Sequence, residues 1–237
     1  MRIAIALGDP NGIGPEVAIK AALASKGNVR PLLVGDAHVI EKTAERLKVD
    51  TPAFIDAPAL EEVAFAPGKL DPRAGKATVA YATEAVKLAL AGKVDAVIGC
   101  PHSETAVNRA GISFSGYPGL VADVTGTPRE RAFMMLTAKG LRIVHATLHE
   151  SVSAALARLS PELVIAAAEA IVASAERLGD RPPSIATKPN GIWNAAMISA
   201  TPISASGPPA TGSPPPTCTG SSAGGCGSDR ASAVKSL

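Results

Sequence analysis

The stretch that decides the fold is residues 3–16, Ile-Ala-Ile-Ala-Leu-Gly-Asp-Pro-Asn-Gly-Ile-Gly-Pro-Glu, where a continuous apolar run passes directly into a glycine-rich turn. The run has the character of a buried strand, and Pro15 suits the first position of a helix. Gly12 and Gly14 permit close approach of a ligand, and the amide groups at the helix start favour an anion. A tight strand-to-helix connection without a ligand explains the pattern equally well. The spacing is not the Gly-x-Gly-x-x-Gly dinucleotide fingerprint.

Outward from this stretch, apolar runs of strand length alternate with longer segments of helical period. Predicted strands cover residues 3–7, 31–34, 96–99, 132–136 and 141–145, and predicted helices cover residues 15–23, 39–47, 78–90, 151–159 and 161–178. Several runs are continuous rather than alternating, as expected of buried parallel strands. Strands that alternate with helices over this length predict an α/β layered fold with mainly parallel strands.

Composition argues against several classes of function. The chain has 237 residues, 46% of them hydrophobic and 19% charged, and its formal net charge of +2 favours neither nucleic acid nor a membrane surface as a partner. Aromatic residues make up only 3%, too few for a platform that stacks single-stranded nucleic acid. No run approaches the length of a membrane span or a signal-peptide core. We therefore expect a cytoplasmic enzyme in which Cys100, Cys218 and Cys226 are free thiols.

Three segments carry a family resemblance. They are residues 8–16, Gly-Asp-Pro-Asn-Gly-Ile-Gly-Pro-Glu; residues 99–105, Gly-Cys-Pro-His-Ser-Glu-Thr, followed by Ala-Gly-Ile at 110–112; and residues 146–149, Ala-Thr-Leu-His. In order and spacing they resemble the 4-hydroxythreonine-4-phosphate dehydrogenase family over residues 1–183. The resemblance implies a dehydrogenase, dependent on NAD and a divalent metal, that oxidises a secondary alcohol and then releases carbon dioxide. It also implies a homodimer with a two-domain α/β/α fold of the isopropylmalate dehydrogenase type.

The same resemblance assigns candidate site residues. Asp9, Gly12, Gly14, His102 and Glu104 belong to motifs that form active-site loops in the family. The resemblance does not single out one of these five residues as the catalytic acid or base. Their catalytic roles are therefore left open.

His149 is the candidate metal ligand. The family holds a divalent cation of the zinc, magnesium or cobalt type with three histidines, and His149 matches the first of them. Its predicted place at the end of a strand is where open α/β sheets position ligands. No histidine follows it in the chain, and one imidazole does not hold a catalytic ion tightly.

Two other histidines receive different interpretations. His145 lies four residues before His149, so a two-histidine site on one strand face is geometrically possible, although we interpret His145 as a packed strand residue. His38 is expected in solvent near the start of a helix.

Residues 115–119, Ser-Gly-Tyr-Pro-Gly, bear on the substrate. Family members that act on the phosphorylated threonine derivative resemble Gly-His-Thr-Glu here, and their His and Thr reach the substrate. Pro118 offers no N–H donor and Tyr117 brings a flat ring. The segment is more similar to the branch of decarboxylating terephthalate dihydrodiol dehydrogenases, which oxidise cis-dihydrodiol carboxylates to catechols. Tyr117 and Pro118 are therefore predicted to bind a small-molecule carboxylate substrate.

The C-terminal part of the chain has a different composition. Residues 199–237 consist mainly of Pro, Ser, Thr, Gly and Ala, which predicts a disordered, low-complexity tail. Residues 184–198 are interpreted as a transition out of family similarity, and residues 1–183 as an N-terminal part in which both domains of the fold are incomplete. We interpret a frameshift as the simplest explanation for the change of composition and the end of family similarity.

Three functional hypotheses therefore stay open. The first is a dehydrogenase for the phosphorylated hydroxythreonine of vitamin B6 synthesis. The second is a paralogue that acts on a ring dihydrodiol carboxylate. The third is an inactive truncated fragment without a catalytic role.

Overall fold

The N-terminal part of the chain forms a four-stranded parallel sheet. The computed structural model describes residues 1–138, 141–177, 184–187 and 195–199, the last two ranges by their backbone alone. The strands of this sheet are β1 (Arg2–Ala6), β2 (Arg30–Gly35), β3 (Phe54–Asp56) and β4 (Ala96–Gly99), in the order β3-β2-β1-β4. Strand β1 is central and pairs in parallel with both β2 and β4. The continuous apolar run that begins the chain is therefore the buried strand that its composition predicts.

Helices connect and cover these strands. They are α1 (Gly14–Ala24), α2 (Ala37–Leu47), α3 (Pro72–Leu90), α4 (Glu104–Arg109) and α5 (Tyr117–Thr125), with short 3-10 turns at Glu62–Ala64 and Arg129–Arg131. Helix α3 begins earlier than predicted because the Asp71 carboxylate accepts the N–H of Arg73 at 2.8 Å and Pro72 occupies the first turn. Helices α4 and α5 and strand β3 lie outside the predicted elements.

The core of this part lies between the sheet and its helices. It is a continuous cluster of 22 buried residues, among them Leu7, Ile19, Leu33 and Tyr81. Many of its members are alanines, which allow the helices to approach the sheet closely. The cluster holds the carboxyl ends of the parallel strands in place. The first candidate site residues follow directly after those ends.

The second sheet corrects a prediction. Strands β5 (Met134–Ala138), β6 (Leu141–His145), β7 (Ser184–Thr187) and β8 (Ala195–Ser199) pair in the order β5-β6-β8-β7, and every pairing is antiparallel. The expectation of mainly parallel strands therefore holds for the first sheet and is wrong for the second, which contains the strands predicted at 132–136 and 141–145. Only two residues separate β5 from β6, and a parallel connection requires a crossover of about a dozen residues or more.

Two further helices follow β6. They are α6 (Val152–Arg158) and α7 (Pro161–Arg177), close to their predicted bounds. Among the side chains that the structure describes here, the buried cluster consists of Val144, Ala167 and Ile171, with Phe133, Met135 and Ala146 packed against it. It is much smaller than the core around the parallel sheet.

The α/β class is confirmed by the parallel sheet and its helices. The division into two domains of the isopropylmalate dehydrogenase type stays a prediction. The predicted disordered tail falls on residues 200–237, outside the described residues, apart from Ser199, which ends β8. None of the helices in the described ranges combines the length and apolar character needed to cross a bilayer.

Candidate active site

The glycine-rich turn lies at the carboxyl end of β1, directly against the chain that leaves β4. Gly8 has a φ of +71°, and a Cβ there would lie 2.2 Å from the carbonyl oxygen of Pro101. The N–H of Asp9 donates to that same carbonyl at 3.0 Å. A Cβ on Gly14 would lie 2.0 Å from the carbonyl oxygen of Leu7. The structure thus shows close approach of backbone to backbone, and a ligand at Gly12 and Gly14 stays a prediction.

Asp9 is the acidic residue of this turn. It is 8% exposed, and its Oδ1 accepts the N–H of Asn11 at 2.9 Å. Burial raises the pKa of Asp9, while the N–H groups of Asn11 and Gly12 and the nearby imidazole of His102 oppose that rise. A carboxyl group held in this way retains a proton to higher pH than an exposed aspartate, which suits an exchange of protons with a neighbouring group.

Asn11 is a site-forming residue that the sequence patterns do not identify. Its side-chain nitrogen donates to the carbonyl of Ala64 at 3.2 Å, and its side-chain oxygen accepts the N–H of Ala66 at 2.8 Å. Its own carbonyl accepts the N–H of Gly68 at 2.7 Å. Asn11 therefore joins the turn after β1 to the loop at 64–68, and only its position within a motif could have indicated this.

Asp36, at the carboxyl end of β2, has a comparable structural role. Its carboxylate accepts the N–H groups of Ala59 and Leu60, each at 3.0 Å, and the hydroxyl of Tyr81. These three donors hold the chain after β3 against the sheet. Asp36 is therefore committed to the fold, although it lies at the same sheet edge as Asp9.

His102 follows β4 and faces Asp9 and α5. Its ring makes edge contacts with Phe114 and Tyr117, with ring centroids 4.9 Å and 4.7 Å away. Its Nε2 lies 3.9 Å from Oε1 of Glu104, the first residue of α4. The structure thus brings together Asp9, His102 and Glu104 at the carboxyl edge of the parallel sheet.

Tyr117 is packed rather than open. Its hydroxyl donates to the carbonyl oxygen of Cys100 at 2.6 Å, and a Cβ on Gly99 would lie 2.6 Å from its ring. Burial raises the pKa of the Tyr117 hydroxyl, and burial also raises the pKa of the Cys100 thiol to about 11. Tyr117 therefore forms a neutral wall between His102 and α5, with its hydroxyl already in use.

Pro118, the next residue, faces a different space. It lines a cavity of about 130 Å³ together with Ser115, Arg129, Glu130, His149 and Arg158. The start of α5 thus separates the two predicted substrate-binding residues. Tyr117 faces His102, and Pro118 faces the cavity that also contains His149.

His149 does not end a strand as predicted. Strand β6 ends at His145, and His149 lies in the bend that leads to α6. It is exposed, and its φ of +41° places its backbone in the left-handed region, which is uncommon for residues other than glycine. Strain of this kind concentrates at functional sites, so the position of His149 beside a cavity is compatible with a binding role.

The other histidines do not complete a metal site with His149. His145 and His149 do not share a strand face, because the strand ends between them. His38 is not in solvent as expected, since its ring packs edge-on against Phe65 and its Nε2 is buried without a hydrogen-bond partner in the described ranges. Within those ranges no group of three or more His, Cys, Asp and Glu side chains could hold a metal ion. The described ranges thus lack the group of about three ligands that a catalytic site needs.

Comparison with known proteins identifies relatives over most of the described chain. The family model of the pyridoxal phosphate biosynthetic protein PdxA matches residues 27–188. A 1,2-dihydroxy-3,5-cyclohexadiene-1,4-dicarboxylate dehydrogenase of Comamonas sp is 46% identical over 191 residues, which cover 78% of this chain and 60% of the relative. A 4-hydroxythreonine-4-phosphate dehydrogenase of Desulforapulum autotrophicum is 35% identical, over 69% of this chain and 53% of that protein.

A solved structure agrees with these sequence relatives. The crystal structure of a terephthalate 1,2-cis-dihydrodiol dehydrogenase from Burkholderia xenovorans LB400 matches with a TM-score of 0.60 and 46% identity, over 76% of this chain and 58% of that chain. The chain therefore spans about 60% or less of the length of these relatives. Because the family model matches well over half of the sequence, the chain belongs to the PdxA family, whose relatives named above are all dehydrogenases.

Proposed function

We propose that the chain is part of an NAD- and divalent-metal-dependent dehydrogenase that acts on a cis-dihydrodiol carboxylate. The carbinol C–H bond breaks and its electron pair passes to NAD as hydride, while the hydroxyl proton passes to a base. The bond to the carboxylate then breaks and carbon dioxide leaves. The electron pair of that bond forms a ring double bond to the carbonyl carbon, and the carbonyl electron pair moves onto its oxygen. That oxygen takes back the proton held by the base, and the aromatic product is a catechol.

The start of α5 is the observation that carries this proposal. Pro118 has no N–H or hydroxyl to donate, and the Tyr117 hydroxyl is bonded to the Cys100 carbonyl. Neither residue offers a phosphate the donors that a His-Thr pair would offer. The Pro118 ring instead presents apolar surface to the cavity, which favours a flat cyclic substrate there, while the Tyr117 ring packs against His102. Similarity to relatives named for a dihydrodiol and a cyclohexadiene dicarboxylate points the same way.

The proposal also assigns chemical roles to the candidate residues. In the proposal His149 would be one ligand of a divalent metal, the other ligands would come from outside the described part of this chain, and the metal would polarise the alcohol oxygen. Asp9 and His102 are proposed to exchange the hydroxyl proton, because Asp9 is buried and the charge of His102 acts on it. The Glu104 carboxylate lies 3.9 Å from Nε2 of His102, beyond hydrogen-bond distance, so in the proposal it acts on the imidazole through its charge alone.

A homodimer belongs to the same proposal. Helix α6 exposes Val152 by 75% and Leu156 by 65%, and Leu159 follows on the same face. Exposed apolar side chains on a short helix and on the Leu159 cap that follows it are typical of a surface that another chain covers. The occupant we propose is a second copy of the enzyme.

The experiment uses a completed chain. Residues 1–183 are fused to the portion of the Comamonas relative that follows its matched part, and NADH formation is measured with a cis-dihydrodiol dicarboxylate and with 4-phosphohydroxy-threonine, with and without a chelator. We expect NADH from the dihydrodiol only, and none after chelation. NADH from the phosphorylated substrate alone would favour the vitamin B6 enzyme, and none from either would favour the inactive fragment.

A second variant tests the metal assignment. His149→Ala in the completed chain should lower metal affinity and turnover by at least about tenfold while the circular dichroism spectrum stays unchanged. His38→Ala is the matched control, because His38 lies on α2 beside the parallel sheet and does not line the cavity. Normal metal affinity in His149→Ala would contradict the assignment.

A further inference from the structure

The cavity beside Pro118 contains an unusual concentration of guanidinium groups. Arg129 and Arg158 both line it, from the 3-10 turn before β5 and from the end of α6. His149 lines it as well, and Glu130 is the acidic residue of its wall. A volume of about 130 Å³ equals that of roughly four waters, since each occupies about 30 Å³ in the liquid. The cavity therefore has room for a carboxylate and part of the ring that carries it.

Arg158 is held in place from outside the cavity. Its Nη1 donates to Oε1 of Glu150 at 2.7 Å, and the Glu150 side chain is only 16% exposed. Glu150 does not line the cavity. In the described ranges Arg158 makes no other hydrogen bond, so its remaining N–H groups are available to a ligand. A guanidinium that is already hydrogen-bonded along one edge loses less conformational entropy when its other edge binds an anion.

Arg129 is held in a similar way. Its Nε and Nη2 donate to the two oxygens of Asp123 at 2.8 Å and 2.6 Å. Asp123 is also absent from the cavity wall. One amino group of Arg129 stays available, fewer donors than Arg158 keeps, so Arg129 is the weaker of the two anion contacts.

We propose that Arg158, assisted by Arg129, binds a carboxylate of the substrate in this cavity, an inference that rests on the proposed function. A guanidinium matches a carboxylate with two parallel hydrogen bonds. Pro118 contributes apolar surface beside it, where a ring can pack. The two arginines thus supply the charge-assisted contact that Tyr117 and Pro118 do not. A guanidinium fork pairs with carboxylate and phosphate alike, so the preference for an aromatic carboxylate is assigned to the apolar surface of Pro118 beside it.

The test measures binding to the 237-residue chain itself. The probes are terephthalate, benzoate and inorganic phosphate, titrated calorimetrically at low salt. Terephthalate should bind, and Arg158→Gln should weaken it by about ten- to a hundredfold, as expected for a lost hydrogen bond between charged groups. Arg129→Gln should weaken it less, and Arg158→Lys should weaken it because the fork is lost. Arg131→Gln is the matched control, since Arg131 pairs with Glu169 and does not line this cavity.

Several outcomes would overturn the subsite. They are the absence of terephthalate binding by the parent chain, unchanged binding in Arg158→Gln, equal weakening in Arg131→Gln, or tighter binding of phosphate than of terephthalate. If Arg158→Gln fails to fold by circular dichroism, Arg129→Gln and Arg158→Lys decide. In the completed chain, NADH formation with an unchanged KM in Arg158→Gln would refute the subsite alone. Normal terephthalate binding without NADH formation would refute the proposed function alone.

Discussion

The region around the parallel sheet and the region around the antiparallel sheet differ in how much they bury. The first is organised around 22 buried residues, whereas the cluster that the described side chains of the second form has three. The first has glycines where any Cβ would strike backbone, as at Gly8 and Gly14. The second exposes large apolar residues on α6 and α7, such as Val152, Leu156 and Ile165.

The difference in packing separates the candidate site residues into two groups. Asp9 and His102 are fixed by the large core and by a network of backbone hydrogen bonds. His149 and Arg158 lie beside a cavity, on a segment that has few buried neighbours among the residues that the structure describes. Under the proposed function, rigidly held groups would exchange the proton and the less tightly packed side would face the substrate, since ligand-binding segments are drawn from the less stable parts of proteins.

The largest effect should come from the glycine turn. In Gly14→Ala the new Cβ would lie 2.0 Å from the Leu7 carbonyl oxygen, and neither backbone segment can move without disturbing the core. We expect a loss of at least about 3 kcal/mol in the free energy of unfolding, measured with urea. Gly119→Ala is the control, because nothing lies within 4 Å of its Cβ and α5 should gain about 0.5–1 kcal/mol. Equal stability of the two variants would contradict the account.

Removal of one side chain that joins two loops should have a smaller effect. Asn11→Ala deletes a donor to Ala64 and an acceptor for the N–H of Ala66 at a position that is 2% exposed. We expect a loss of about 1–3 kcal/mol in the same measurement, because buried backbone groups are left unpaired. In the other region, Arg131→Gln removes an exposed ion pair with Glu169 and should cost less than about 1 kcal/mol. A larger loss in Arg131→Gln than in Asn11→Ala would reverse the comparison between the regions.

The pH dependence of stability should show the smallest effect, with opposite signs at two residues. Burial raises the pKa of Asp9 above its ordinary value of 3.8, so the folded state binds the proton more tightly than the unfolded state. The contribution of Asp9 is greatest below the unfolded pKa and falls as pH rises through the folded pKa. Asp9→Asn keeps the side-chain acceptor for the Asn11 N–H and should flatten this decline in urea titrations across acidic pH.

Glu16 is the control for that titration. The hydrogen bond from Lys20 lowers the pKa of Glu16, so its contribution is present above the unfolded pKa and is lost as pH falls through the folded pKa. Glu16→Gln should therefore change the slope in the opposite direction. The same slope change in both variants would mean that burial does not govern Asp9.

Much of the fold could be predicted from the chain, for identifiable reasons. The run at 3–7 and the helix at 161–178 match β1 and α7 within one residue at each end, because long uniform patterns leave few alternatives. Strand β3 has only three residues and leaves too short a pattern to detect. The pattern of apolar residues does not determine strand direction in the second sheet. The short interval between β5 and β6 is nevertheless typical of a hairpin and could have predicted antiparallel pairing.

The site was predictable as a set of residues but not as an arrangement. Motifs indicated Asp9, His102 and Glu104, which the structure brings to one edge of the sheet. They did not indicate that Gly116 and Pro118 begin a helix, although glycine followed closely by proline is a typical helix start. The motifs also did not show that Tyr117 faces away from the cavity that Pro118 lines. The direction in which each side chain at the start of a helix points depends on how the helix packs.

The most direct test of the proposed function is a substrate preference measured in two versions of the completed chain. The first retains Tyr117-Pro118, and the second carries His-Thr at these positions. The ratio of kcat/KM for the cis-dihydrodiol dicarboxylate to that for 4-phosphohydroxy-threonine is measured in both. The account predicts a ratio above one in the first version and a fall of about ten- to a hundredfold in the second, because restored donors contact the phosphate. A first version that already prefers the phosphorylated substrate would contradict the account, although membership of the family would stand.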